Sequence, residues 1–209
     1  MAKNARKALL IIVAFLAMGH PAFASNLAIR LGLWHLTKPD FTNEQGITSE
    51  NKRNFFYLEA SYQSRLNRLL TFNVNLGTIF RGTIRHQTSN GIILGSANVL
   101  PIGVGFTLYP VPVNIGIKPY FRGGGTVAIG NSNSGNFVRY DASNNPIFES
   151  KTRLTAGGFG AFGLSHRIMT KINLLTEISY YHLKFSRPVA GISNHSGYQI
   201  LTGISISYE

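Results

Sequence analysis

Seven charged side chains sit at alternate positions within otherwise apolar runs: Arg30, Glu59, Arg81, Lys118, Arg122, Arg153 and Glu177. Five cations and two carboxylates on one face can do one of two things. They can pair into a salt-bridged core, because a charge taken out of water must be paired or hydrogen-bonded. They can also line a polar path, whose surplus of positive charge would favour anions. Arg30 and Glu59 are expected to pair, and Lys118 or Arg122 to reach Glu177. Catalysis depends on the same kind of juxtaposition. An activated serine needs a base and an orienting acid within reach. His195-Ser196 is the His/Ser pair nearest a segment rich in turn formers. Adjacent residues of a strand point to opposite faces, so the pair converges only within a turn; otherwise it is a polar loop tip. No catalytic residue is assigned, and the chain is read as a non-enzyme.

Other chemistry is excluded more simply. The chain has no cysteine, so disulfides and thiolate zinc sites are ruled out. His35, His86, His166, His182 and His195 are isolated, and no metal-ligand spacing is present. Gly123-Gly124-Gly125 lacks the Lys-Ser/Thr of a phosphate loop and reads instead as a bend or bulge in a strand. No cofactor is expected. The net charge of +12 and the pI of 10.2 raise the question of nucleic acid. No dense Lys/Arg run or aromatic-interleaved patch accompanies them, so nucleic acid is not expected.

Those side chains need elements to carry them. Residues 1–24 read as a secretory signal peptide: Lys3, Arg6 and Lys7, then the apolar run Ala8 to Met18, then Ala22-Phe23-Ala24. Cleavage after Ala24 would remove three cations and lower the formal charge from +12 to +9. Residues 25–209 form one domain. Hydrophobic residues make up 44% of the chain, yet mean hydropathy is only +0.06, so apolar and polar residues interleave. Eight runs of period two emerge: residues 26–36, 55–63, 70–81, 99–109, 113–128, 153–164, 172–184 and 198–208. Three connections are short: residues 64–69, 110–112 and 165–171. Four are longer: residues 37–54, 82–98, 129–152 and 185–197. The longer ones hold the loop formers, among them Asn131 to Gly135, Asp141 to Pro146 and Ser193 to Gly197.

An even number of long strands, with short turns at one end and long loops at the other, predicts an all-β fold. The expected architecture is an eight-stranded antiparallel up-and-down transmembrane β-barrel. Most runs reach the ~9–11 residues needed to cross a bilayer. Aromatic residues lie toward the ends of the apolar face. Tyr62, Phe72, Phe106, Phe162 and Tyr208 are assigned to the short-turn girdle. Phe56, Phe80, Phe121, Tyr180 and Tyr198 are assigned to the long-loop girdle.

The leader, the eight strands, the alternating connections and the terminal run from Tyr198 to Tyr208 resemble the small eight-stranded outer-membrane barrels. These are the OmpA transmembrane domain and the OmpX, OmpW and NspA types of the Gram-negative cell envelope. The resemblance covers the mature chain and is one of pattern. It implies an outer-membrane location, lipid and lipopolysaccharide as surroundings, and delivery by periplasmic chaperones and the barrel assembly machinery. It also implies an assembly signal in the last strand, here Ile200, Ile204, Ile206 and Tyr208, followed by Glu209. Lipid A deacylase barrels carry His-x-Ser with a Glu, whereas His195-Ser196-Gly197 has no intervening residue. Three functions follow as expectations: a structural or surface-interaction platform presenting four loops, a small-solute or ion conduit through the lumen, and a lipid-modifying enzyme at the rim.

Overall fold

The computed structural model describes residues 25–40, 53–88, 91–110, 116–132, 139–140, 146–147 and 151–208, with side chains of 82–95, 139–140 and 146–147 left aside. Eleven strands follow in chain order: β1 (Ser25–Leu36), β2 (Asn54–Arg65), β3 (Leu70–Thr88), β4 (Gly91–Leu108), β5 (Ile117–Ser132), β6 (Arg139–Tyr140), β7 (Pro146–Ile147), β8 (Lys151–Arg167), β9 (Ile172–Val189), β10 (Ile192–Asn194) and β11 (Gly197–Tyr208). β1 to β5, β8, β9 and β11 pair antiparallel with their neighbours, and β11 returns to β1 over Ser25↔Tyr208 to Leu36↔Gly197. The sheet is therefore closed. β6 and β7 form a separate two-residue ladder, and β10 folds back on β9. The signal segment, Val113 to Ile115, the His86 side chain, most of the loop formers and Glu209 lie outside the described residues.

Closure follows from the alternation in the sequence. Each strand holds two classes of residue at period two, and each class can face only one way. On β1, Leu27, Ile29, Leu31 and Leu33 point outward and are 42 to 57% exposed, while Ala28, Arg30 and Trp34 are buried. β9 does the same, with Ile178 and Tyr180 outward and Glu177, Ser179 and Tyr181 inward. The apolar face is the outer one, inverted from a protein that folds in water, where such residues form the core. Closing the sheet also removes the unpaired edges that an open sheet would present.

Three expectations about the chain path are corrected. Residues 82–98 are not a loop: β3 and β4 stay paired from Thr83↔Ser96 out to Thr88↔Gly91. The β-branched residues Thr83, Ile84, Ile92 and Ile93 favour continuing the ladder. The register shift of the barrel lies between Phe80 and Thr83, not at the triple glycine. Across Gly123-Gly124-Gly125, β5 keeps continuous register with both β4 and β8. Third, Phe121 belongs to the short-turn end. It opposes Leu108 and packs on Phe162 with centroids 5.2 Å apart. β5 runs upward from its short turn, so a residue near its start sits low.

Gly124 marks a close approach. A Cβ there would overlap the Val104 carbonyl oxygen, whereas a Cβ on Gly125 would meet nothing. β4 and β5 curve tightly against each other at that point, and only glycine fits the concave side. Gly124→Val is expected to destabilise the barrel by about 2 kcal/mol or more, while Gly125→Val is tolerated. Urea unfolding of both variants in lipid vesicles, read by heat-modifiable gel mobility, checks this. Equal stability would contradict the close approach.

Candidate functional site

Four strands deliver four charges to one level of the interior. Arg30 on β1 lies directly across the ladder from Glu59 on β2. Arg122 reaches in from β5, across the barrel from β1, and Glu177 from β9, which β11 separates from β1. Arg30 Nη1 donates to Glu59 Oε1 at 2.9 Å and to Ser61 Oγ at 2.8 Å. Arg122 Nη1 donates to the same Glu59 oxygen at 2.9 Å, and its Nη2 donates to Glu177 Oε1 at 2.6 Å. Arg30 Nε stands 3.8 Å from Glu177 Oε2 and completes a ring of alternating charge. Every member is at most 3% exposed.

The ring's spare acceptor sites are met by tyrosines. Tyr57 and Tyr181 donate to Glu59 Oε2 at 3.1 and 3.3 Å, and Tyr120 donates to Glu177 Oε2 at 3.0 Å. The Arg122 guanidinium lies over the Phe159 ring, 5.2 Å from its centroid. Two cations and two anions leave the layer formally neutral. This is the arrangement that makes buried charge tolerable in a lumen too narrow for bulk water.

The expected network is smaller than the sequence implied. Lys118 is exposed at the turn end of β5 and outside the ring. Strand direction again decides this: Lys118 is the second residue of β5, four positions below Arg122. Arg81 is inward but too high. It donates to the Val189 carbonyl at 2.5 Å and sits over the Phe55 ring at 5.5 Å. Arg153 is half-buried near the top of β8, opposite Gly130.

Above the ring lies a buried, mainly apolar cluster that includes Trp34, Tyr57, Ile79, Val99, Phe159 and Leu183. The polar inward face expected from the sequence does not extend to this level. The cluster's signal was available, since these large apolar residues occupy inward parity on their strands. Below the ring, Ala28, Tyr120 and Leu175 close the other side, with Tyr109 against Tyr120.

The last loop completes the cap. Ala190 and Gly191 take positive φ of 49° and 78°, turning the chain so that Val189, Ala190 and Ile192 are buried. His195 turns inward against the edge of Phe185, and its carbonyl accepts from Trp34 Nε1 at 3.2 Å. Ser196 does not face it. The Ser196 Oγ accepts from the Leu183 amide at 3.0 Å and lies 3.4 Å from His182 Nδ1. Among the described residues no carboxylate contacts that serine or either histidine.

The outward aromatics form two sets. Phe72 with Phe106, and Phe121 with Phe162, flank the short turns. Phe56 with Phe80, and Tyr180 with Tyr198, lie toward the loops. Tyr62 is half-buried and outward on β2, and Ile200, Ile204, Ile206 and Tyr208 share the outer face of β11.

Truncating one ring member strands its partners. Glu59→Ala leaves Arg30 and Arg122 without their shared carboxylate and is expected to cost about 3–5 kcal/mol. Replacing Arg122 and Glu177 together by Leu is expected to cost less than that single truncation, measured by unfolding in vesicles. Burial, followed by the Arg81 charge, pushes the His195 pKa down from 6.5 to about 3. The folded cap thus refuses a proton that the unfolded loop accepts. Its stability is complete above pH ~6.5 and falls as pH drops from there toward 3. Hydrogen exchange of residues 190–196 is expected to accelerate between pH 7 and 5, beyond the intrinsic rate change, and His195→Phe is expected to abolish that response.

No family model matches the chain, and no curated protein matches it by sequence. Solved structures do. Neisserial surface protein A superposes with a TM-score of 0.56 at 13% identity, covering 88% of this chain and 97% of its own. The outer membrane protein OprG from Pseudomonas aeruginosa gives 0.55 at 13%, covering 90% and 97%. Ail, the attachment invasion locus protein of Yersinia pestis, in complex with the heparin analogue sucrose octasulfate, gives 0.53 at 13%, covering 89% and 99%. With the closed antiparallel register, the inverted faces and these superpositions together, the chain has the fold of the small eight-stranded outer-membrane β-barrels.

Proposed function

We propose that this protein is an integral outer-membrane barrel that does not conduct, and that its work is done at the long-loop end as a surface-interaction platform. The observation that carries this reading is the sealed interior: a neutral ring of four buried charges beneath a dry aromatic cap. A conduit needs a continuous wet path, and a buried charge layer beneath a buried apolar cluster argues against one. The outward belt of Leu, Ile, Val and Phe supports residence in lipid. Export by the 1–24 leader, handling by periplasmic chaperones, and recognition of β11 by the barrel assembly machinery belong to the same reading.

Charge tells which surroundings suit the loop end. Among the described residues it holds Lys38, Arg53, Lys151, Arg153, Lys184 and Arg187 against one carboxylate, Asp40. Such a rim is attracted to anionic head groups such as those of lipopolysaccharide, in a salt-sensitive way. That Ail was solved with a polysulfated ligand is in keeping with an anion-facing rim on this fold.

The test combines fractionation and recording. The protein is expected in the outer-membrane fraction with heat-modifiable mobility, and the purified barrel is expected to give no steady current in planar bilayers. Soluble recovery from the periplasm would overturn the membrane reading. A steady ohmic conductance would overturn the sealed lumen.

A further inference from the structure

The barrel wall is not laced to its top everywhere. The β8–β9 ladder runs from Arg167↔Asn173 only as far as Gly157↔Leu183. Beyond it β8 continues to Lys151, held on its other edge by β5, and β9 continues to Val189, held on its other edge by β10. Two strand edges therefore face each other without backbone pairing among the described residues. At the base of the gap a side chain replaces the ladder, with Thr155 Oγ1 donating to the Lys184 carbonyl at 2.5 Å. The gap opens onto a shallow surface depression of about 590 Å³ whose lining includes Leu154, Thr155, Lys184, Ser186 and Ser193.

The slit has a physical cause. The top of β9 leans inward to bury Phe185, Val189 and Ile192 in the cap, each at most 1% exposed. Arg81 holds the Val189 carbonyl there. Pro188 has no N–H to give to β8. Burying the cap and lacing the wall are alternatives, and the chain takes the first.

Unpaired strand edges are not tolerated in hydrocarbon. The slit lies above that level. Lys184 is four residues beyond Tyr180 on the outward face, and at ~3.3 Å per residue with a strand tilt near 40° it stands about 10 Å above the aromatic belt. That is head-group height. The surroundings are rich in donors: Lys184 and Arg187 are exposed on β9, and Lys151 and Arg153 are half-buried on β8. Hydroxyls of Ser186 and Ser193 and the free backbone edges add more. The single carboxylate of the lining, Asp40, is engaged by Ser193 Oγ at 3.5 Å. Leu154, 67% exposed at the lip, offers apolar surface on the lipid side.

From this we infer that the β8–β9 slit is a docking site for the anionic phosphate-bearing head group of an outer-leaflet glycolipid, with Lys184 as the cation that lines it and exposed Arg187, three residues further on, as a second contact at its margin. The inference rests on the outer-membrane reading above. A β-strand from another protein fits less well, because the open edges are short and crowded with positive charge.

The test uses the full mature chain folded in neutral detergent. Its binding of bisphosphorylated lipid A, of the same glycolipid after dephosphorylation, and of inorganic phosphate is followed by native mass spectrometry. Bisphosphorylated lipid A is expected to bind, and the Lys184→Gln/Arg187→Gln double variant to bind it ~10-fold or more weakly. Arg167→Gln/Lys171→Gln, at the turn end, is expected to bind like the parent. Dephosphorylation is expected to weaken binding as the double variant does, with inorganic phosphate silent. On the unmutated chain, lipid A is expected to protect Lys184 several-fold from acetylation while sparing Lys171. Unchanged binding by the double variant, an equal loss in the turn-end control, tight binding of phosphate alone, or an unprotected Lys184 would each overturn the site. A parent without heat-modifiable mobility would instead overturn the membrane reading itself.

Discussion

Closing eight strands into a cylinder leaves a lumen that side chains fill and bulk water does not. Every charge placed there must find its partner inside. Arg30, Glu59, Arg122 and Glu177 answer that constraint together, each carboxylate shared by both guanidiniums. The ring is weak evidence for net stability, because desolvating four ions offsets much of their attraction. Its stronger effect is on register. A one-residue slip of any of the four strands would send a charge to the outer face and leave its partners unpaired in the core. The ring thus ties strands that are not neighbours, β2 to β5 and β5 to β9, across the barrel.

The cap follows from the same geometry. Above the ring the strands carry apolar residues inward, and the last loop folds down to complete that cluster rather than standing up from the rim. His195 belongs to this cap through its backbone and its ring, which explains why it does not meet Ser196. Drawing β9 inward also parts it from β8. The buried cap and the side slit are therefore two consequences of one displacement.

Much of the fold was legible in the sequence because period two is a strict constraint: the outward residues of β1, β2, β3 and β11 can be read directly. The Arg30–Glu59 contact was legible for the same reason, both residues lying at mid-strand on adjacent runs. Height was harder. Lys118 and Phe121 were misplaced because alternation gives the face but not the level, and strand direction must be followed to obtain it. The dry cap was missed because a polar inner face was assumed throughout, although Trp34, Tyr57 and Leu183 stand at inward positions. The slit could not be found from one strand's pattern, since it arises where two edges fail to pair.

Exchange of the arginine guanidinium protons with water, followed by NMR on the folded protein in lipid nanodiscs, tests the sealed charged layer most directly. Arg30 and Arg122 are expected to show guanidinium signals that persist at neutral pH, far more slowly exchanging than those of exposed Arg187. Guanidinium protons of Arg30 and Arg122 that exchange as fast as those of Arg187 would show water in the lumen and contradict the sealed barrel.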